Sequence, residues 1–181
     1  VPGIRTRRSR AQALMGLGRW PDAYAAFRDI EVATKRNQAA REVLRGGIDR
    51  ALVRVMVDKP VEAERIIDGA VANNRSNYGS DHPATVLAEG VRGLVLARFG
   101  RDELALPLFR RYVETWGYLL ASADPALEES AMLQLRHRAI LEGYLALLAR
   151  RSGKDAAALA EAFRVADALR AGHVQQAVTA A

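Results

Sequence analysis

Three histidines, His82, His137 and His173, are the side chains best suited to move a proton near neutral pH, and they stand in three separate segments. None has a second histidine or a glutamate at the helical spacing of a zinc-holding pair. His82 belongs to an Asp81-His82-Pro83 turn, His137 sits between Arg136 and Arg138, and His173 lies at a terminal break, so they do not converge on one site. The carboxylate pairs Glu62 with Glu64 and Glu128 with Glu129 have the types for acid and base work, but they follow predicted helix starts. There, negative charge answers the positive end of the helix dipole. Gly46-Gly47 has neither the spacing of a dinucleotide fingerprint nor the Gly-Lys-Ser/Thr ending of a phosphate loop, and reads as a close helix contact or a local kink. No serine lies in a nucleophile-elbow pattern, and the absence of cysteine removes disulfides, a thiol nucleophile and thiolate metal sites. The expectation is a chain with no catalytic residues, no cofactor and no metal site, and therefore not an enzyme.

The elements that carry these residues read as helices. Of 181 residues, 34 are alanine and 24 are arginine, with only three lysines and six prolines, a vocabulary that favours helix over strand. Apolar residues recur at spacings of three and four, which predicts helices over 5–17, 21–36, 39–57, 60–74, 83–98, 102–121, 125–151 and 155–170, and a last piece from about 173. Pro21, Pro60 and Pro125 suit first helical turns, and Asp124 with Glu128 makes an N-cap pattern. The longest predicted loop runs from Asn73 to His82, and no low-complexity linker divides the chain, so residues 1–181 are read as one domain. No apolar run approaches the length of a membrane span. The net charge of +6 is concentrated in Arg5, Arg7, Arg8, Arg10 and Arg19, which precede the first acid, Asp22.

An internal repeat organises the helices. Leu17-Gly18-Arg19-Trp20-Pro21-Asp22-Ala23 followed by Phe27, Asp58-Lys59-Pro60-Val61-Glu62-Ala63 followed by Ile67, and Phe99-Gly100-Arg101-Asp102-Glu103-Leu104-Ala105 followed by Phe109 share one pattern. Their alanines are 40 and 42 residues apart, and a weaker copy, Ser152 to Ala158 with Ala162 or Phe163 behind it, follows 53 residues on. A glycine permits the tight turn between two helices, a small alanine lets them approach, and a larger apolar residue one turn later fills the next gap.

This pattern resembles the tetratricopeptide repeat (TPR). The stretch from Tyr78-Gly79-Ser80-Asp81-His82-Pro83 to Pro107-Leu108-Phe109 is similar to the 42-residue form found in kinesin light chains, in which a proline falls early in the second helix. The resemblance implies an all-α, right-handed superhelical stack of about four antiparallel hairpins, with approximate repeats 1–37, 38–77, 78–121 and 122–170, and residues 171–181 as a terminal helix or the start of a linker. The second copy departs from the pattern by placing Asp58 at the turn glycine. The ending Ala162 to Arg170 with Val174-Gln175-Gln176-Ala177 is also similar to the stretch preceding the caspase-like CHAT domain of bacterial TPR proteins.

The resemblance implies a protein-interaction scaffold that binds a peptide or protein segment in a concave groove lined by the first helix of each hairpin. Carrying the family's inward positions onto this chain gives Arg5, Arg8, Gln12, Arg45, Leu52, Met56, Leu94 and Arg98, an apolar floor edged by arginines that suits an acidic or amphipathic partner. One alternative is the regulatory region of a CHAT-type protease, with an intramolecular contact to a domain beyond Ala181. The other is a basic module for nucleic acid, disfavoured because Phe27, Phe109 and Tyr112 fall at core spacing and stacking would rest on Trp116, Tyr118 or Tyr144.

Overall fold

The first three reversals between paired helices are set by a residue in the left-handed backbone region. In the computed structural model, which describes residues 2–35, 47–121, 131–153 and 155–179, Gly18, Asp58 and Gly100 have φ of 69°, 56° and 69°. Behind each, the next amide reaches back to close the helix: Arg19 N–H to Leu14 O, Lys59 N–H to Arg54 O and Arg101 N–H to Leu96 O, at 2.8–2.9 Å. This six-residue closure satisfies carbonyls that a helix end leaves open. Asp58 explains the departure of the second repeat, since aspartate tolerates the left-handed region better than most residues.

Eight helices among the described residues form four pairs, the first three across such turns: α1 (Pro2–Gly16) with α2 (Trp20–Thr34), α3 (Ile48–Met56) with α4 (Pro60–Tyr78), α5 (Pro83–Arg98) with α6 (Asp102–Ala121), and α7 (Ala131–Ser152) with α8 (Ala156–Thr179). The fold is an all-α stack of antiparallel hairpins. Ala23, Ala63 and Ala105 are buried, and so are Phe27, Ile67 and Phe109, four residues on. In the fourth hairpin Ala158 is buried but Phe163 is 64% exposed, so the residue that follows the anchor is the small Ala162. Buried apolar residues from Ile4 to Val165 form one continuous cluster.

The middle of the stack is α5, wrapped by α3, α4, α6 and α7 and buried along nearly its whole length. Its glycines make room for neighbours. A Cβ on Gly90 would lie 2.8 Å from Tyr112 and 2.9 Å from Ile140, and one on Gly143 of α7 would overlap Leu94.

Several expected boundaries are corrected. The fourth helix runs to Tyr78 rather than 74, which shrinks the long loop to Gly79–His82. No break separates a terminal piece from about 173: α8 is continuous to Thr179, with His173 inside it, because one glycine at 172 costs only about 1 kcal/mol in a helix. Gly47 is the N-cap of α3 with φ 48°, and its would-be Cβ lies 3.1 Å from Ala70, so it is both a helix start and a close contact. The Asp124-Pro125 cap and the expected helix over 39–46 lie outside the described residues.

Candidate partner-binding groove

The first helices of the hairpins, α1, α3, α5 and α7, are where the groove was expected, and the structure sorts its residues into three groups. Arg5, Arg98 and Met56 reach the surface, with Arg8 and Gln12 half-buried. Leu52 and Leu94 do not form an open floor. Leu52 is fully buried and Leu94, 6% exposed, packs where Gly143 has no side chain, so both belong to the core between first helices. Arg45 lies outside the described residues.

The first helices are drawn together by a polar contact the sequence did not reveal. Asp49 of α3 is buried and accepts from Arg136 of α7 through Nε and a terminal nitrogen at 2.7 Å, and from Gln12 Nε2 of α1 at 2.8 Å. This links the first, second and fourth hairpins across 87 residues of sequence, and α1 touches α7 directly. A buried carboxylate holding a guanidinium and an amide leaves few unmet lone pairs, the condition under which such a contact is favourable.

Other arginines clamp neighbouring hairpins. Arg54, 2% exposed, donates to Glu31 of α2 at 2.8 Å and to Glu62 of α4 at 3.0 Å. Glu62 feels burial, which pushes its carboxyl up, but hydrogen bonds and charge from Arg54, helped by Tyr24 and Arg28, bring it below its ordinary value. Glu89, 1% exposed in α5, is gripped by Arg75 and Arg111, and Arg111 also holds Asp81 of the preceding loop. Arg110 binds Glu161 at 2.8 Å, which lowers the Glu161 carboxyl, and Tyr144 also donates to it. The reading of Glu62 and Glu64 as simple first-turn charges is thereby corrected: Glu62 holds Arg54 of α3, and Glu64 holds Arg101 in the turn before α6.

The histidines stay apart. His82 caps α5, its Nδ1 accepting from the Ala84 amide at 3.1 Å while its ring stacks on Tyr78. His137 is buried rather than solvated, hydrogen-bonded to Tyr112 and edge-on to Trp116. Burial, aided by the charge of Arg136, lowers its pKa to about 4, and burial raises that of Tyr112. Its Nε2 and the indole Nε1 of Trp116 have no hydrogen-bond partner among the described residues. Trp116 and Tyr144 are buried and offer no stacking surface, and Tyr118 has no described side chain. Among the described residues no cluster of His, Asp and Glu could hold a metal ion, and no helix is long and apolar enough to cross a membrane.

No protein-family model and no curated protein matches the sequence. Solved structures do match. A kinesin-light-chain-type protein of Podospora anserina built from nearly identical TPR-like repeats superposes with a TM-score of 0.54 at 15% identity, covering 96% of each chain. A single-substitution variant of that protein gives 0.52 at 15% identity, covering 96% of this chain and 95% of the other. At this identity the likeness establishes the fold: the chain is a TPR-like helical-repeat solenoid.

Proposed function

We propose that the chain is a non-catalytic protein-interaction scaffold whose first-helix face takes an acidic or amphipathic protein segment. The observation that supports this reading is the balance of engaged and unengaged charge. Seven described carboxylates, Glu31, Asp49, Glu62, Glu64, Asp81, Glu89 and Glu161, are already held inside the stack by Arg54, Arg75, Arg101, Arg110, Arg111 and Arg136. Arg5 and Arg98, on the first helices, have neither a hydrogen bond nor an ion pair among the described residues. What remains to meet a partner on that face is positive charge beside the apolar Met56. Arg8 and Gln12 belong to the same proposed face, and Arg45 joins it on repeat spacing alone. Leu52 and Leu94 serve it by fixing the wall from inside.

Selection of binders from a random peptide library tests this reading. Recovered peptides are expected to be acidic and to lose binding to the doubly reversed Arg5→Glu, Arg98→Glu chain. Neutral or basic binders indifferent to those substitutions overturn it.

A further inference from the structure

The clamps formed by Arg54, Arg75, Arg92, Arg101 and Arg110 each join hairpins that follow one another in sequence. The contact at Asp49 skips the third hairpin. One carboxylate oxygen accepts from Nε and a terminal nitrogen of Arg136 on α7, both at 2.7 Å, and the other accepts from Gln12 Nε2 on α1 at 2.8 Å. It accompanies the meeting of α1 with α7 across the first-helix face, between hairpins that the order of the stack would hold apart. A clamp between consecutive hairpins feels the rotation at one interface, whereas this one feels the sum over every interface it spans, because each hairpin packs on its neighbours. It is therefore the contact that any opening of the stack strains first. Both charges are paired while it is closed, with Asp49 5% and Arg136 18% exposed. Opening strands neither of them, since both return to water and the recovered hydration offsets most of the lost attraction. The contact thus favours closure by little, and a binding event can reverse it.

We propose that the Asp49 contact is an autoinhibitory latch, which holds α1 against α7 over the first-helix face and which an acidic partner segment opens. The inference rests on the scaffold reading above and adds its regulation. Gln12, one of the residues placed on the partner face, is turned to Asp49 while the latch is closed, and Arg136 is neutralised there. Opening releases both. A partner carboxylate then gains one more guanidinium on a first helix, in addition to Arg5 and Arg98, while Asp49 is left to water. Charge sets the direction of the switch: a basic segment drawn to Asp49 would also meet Arg5, Arg98 and Arg136, so an acidic one is the segment that opens it. Phe109 stacks on Tyr144, and Leu94 fills the space that Gly143 leaves, which ties the fourth hairpin to the third. The movement is therefore of the first two hairpins against the last two.

The chain has no cysteine, so Ser9→Cys on α1 and Arg138→Cys on α7, both at exposed positions, carry a pair of spin labels without competition. The distance between the labels is measured by pulsed electron paramagnetic resonance in the whole chain, alone and with a peptide of repeated Glu-Glu-Leu as the probe. One short distance is expected without peptide and a longer one with it. Asp49→Ser, which removes the held carboxylate, is expected to give the longer distance unaided and to bind the probe about tenfold more tightly in fluorescence anisotropy. Circular dichroism checks that this variant is folded, and the peptide-driven change in the chain that keeps Asp49 reads the switch even where Asp49→Ser unfolds. A probe that binds with the distance unchanged overturns the latch and leaves the scaffold standing, as does a folded Asp49→Ser chain with unchanged distance or affinity. Binding of the probe to neither the chain nor the Asp49→Ser variant, up to millimolar peptide, overturns the scaffold reading and this regulation with it.

Discussion

His137 gives the sharpest test of the packing between α6 and α7. Its Nδ1 lies against the Tyr112 hydroxyl, its ring against Trp116, and the guanidinium of its neighbour Arg136 adds positive charge to the site. Protonation would turn the acceptor of the Tyr112 hydrogen bond into a donor and put a cation in a dry site beside another cation. The folded-state pKa is therefore about 4 against 6.5 in the unfolded chain, so below pH 6.5 the unfolded state takes up the proton first. Stability is fully present above 6.5 and drains as pH falls toward 4. With those two values the loss between pH 7 and pH 5 is about 2 kcal/mol. Urea unfolding followed by circular dichroism across that interval measures it directly. His137→Gln, whose amide oxygen can still accept from Tyr112, is expected to remove most of this slope while keeping the fold. Parallel stability curves for the two proteins from pH 7 to pH 5 would refute a buried neutral imidazole.

The remaining expectations concern the repeat geometry and its clamps. Ala105→Trp overfills a fully buried helix contact and is expected to cost about 1–3 kcal/mol or more, read as a fall in Tm. At the turns, Gly100→Ala is expected to lose about 1 kcal/mol through backbone strain alone, since nothing lies within 4 Å of the added methyl. Asp58→Gly, at the matching turn, should gain up to about 1 kcal/mol by chemical denaturation. Gly90→Ala sets about 1 kcal/mol of helix propensity against contacts near 2.8 Å with Tyr112 and Ile140, and overpacking is expected to win with a net loss. The Glu161 carboxyl is held below 4.5 chiefly by the hydrogen bond from Arg110, so its stabilisation is complete above 4.5 and lost as pH falls further. Arg110→Gln is expected to flatten that part of the acid-unfolding curve.

Features decided over one or two turns of chain were legible in the sequence. The anchor alanines, their following apolar residues and the turn glycines depend on local spacing and φ, and the structure places them as expected. Arg54 was not legible. It sits among the apolar residues Ala51, Leu52, Val53 and Val55, and a charge there reads as solvent-facing unless its partners are known. The floor residues failed for a related reason. Which side of a first helix faces a groove depends on the curvature of the whole stack, and here α5 meets both α3 and α7, so Leu52 and Leu94 go inward. The extension of α4 to Tyr78 was hidden by weak helix formers, Asn73, Asn74, Ser76 and Asn77; Asn74 is held by donating to Ala84 O at 2.9 Å.

The preference for arginine over lysine, 24 to three, follows from the work these cations do inside the stack. A planar guanidinium can donate in several directions at once, so one side chain can join two helices. Arg54 joins α2 to α4, and Arg111 joins α5 to the loop before it. Arg136 completes the series by joining the fourth hairpin to the second, with Gln12 bringing in the first. An ammonium offers no planar fork, so lysine at these positions would meet the same carboxylates as a point charge and lose the directional hold on both partners. Much of the basic composition is thus consumed in cross-links whose carboxylates lie in other helices. Arg5, Arg7 and Arg10 on α1 hold no carboxylate among the described residues. Unengaged positive charge therefore gathers on α1, a helix that carries no carboxylate of its own.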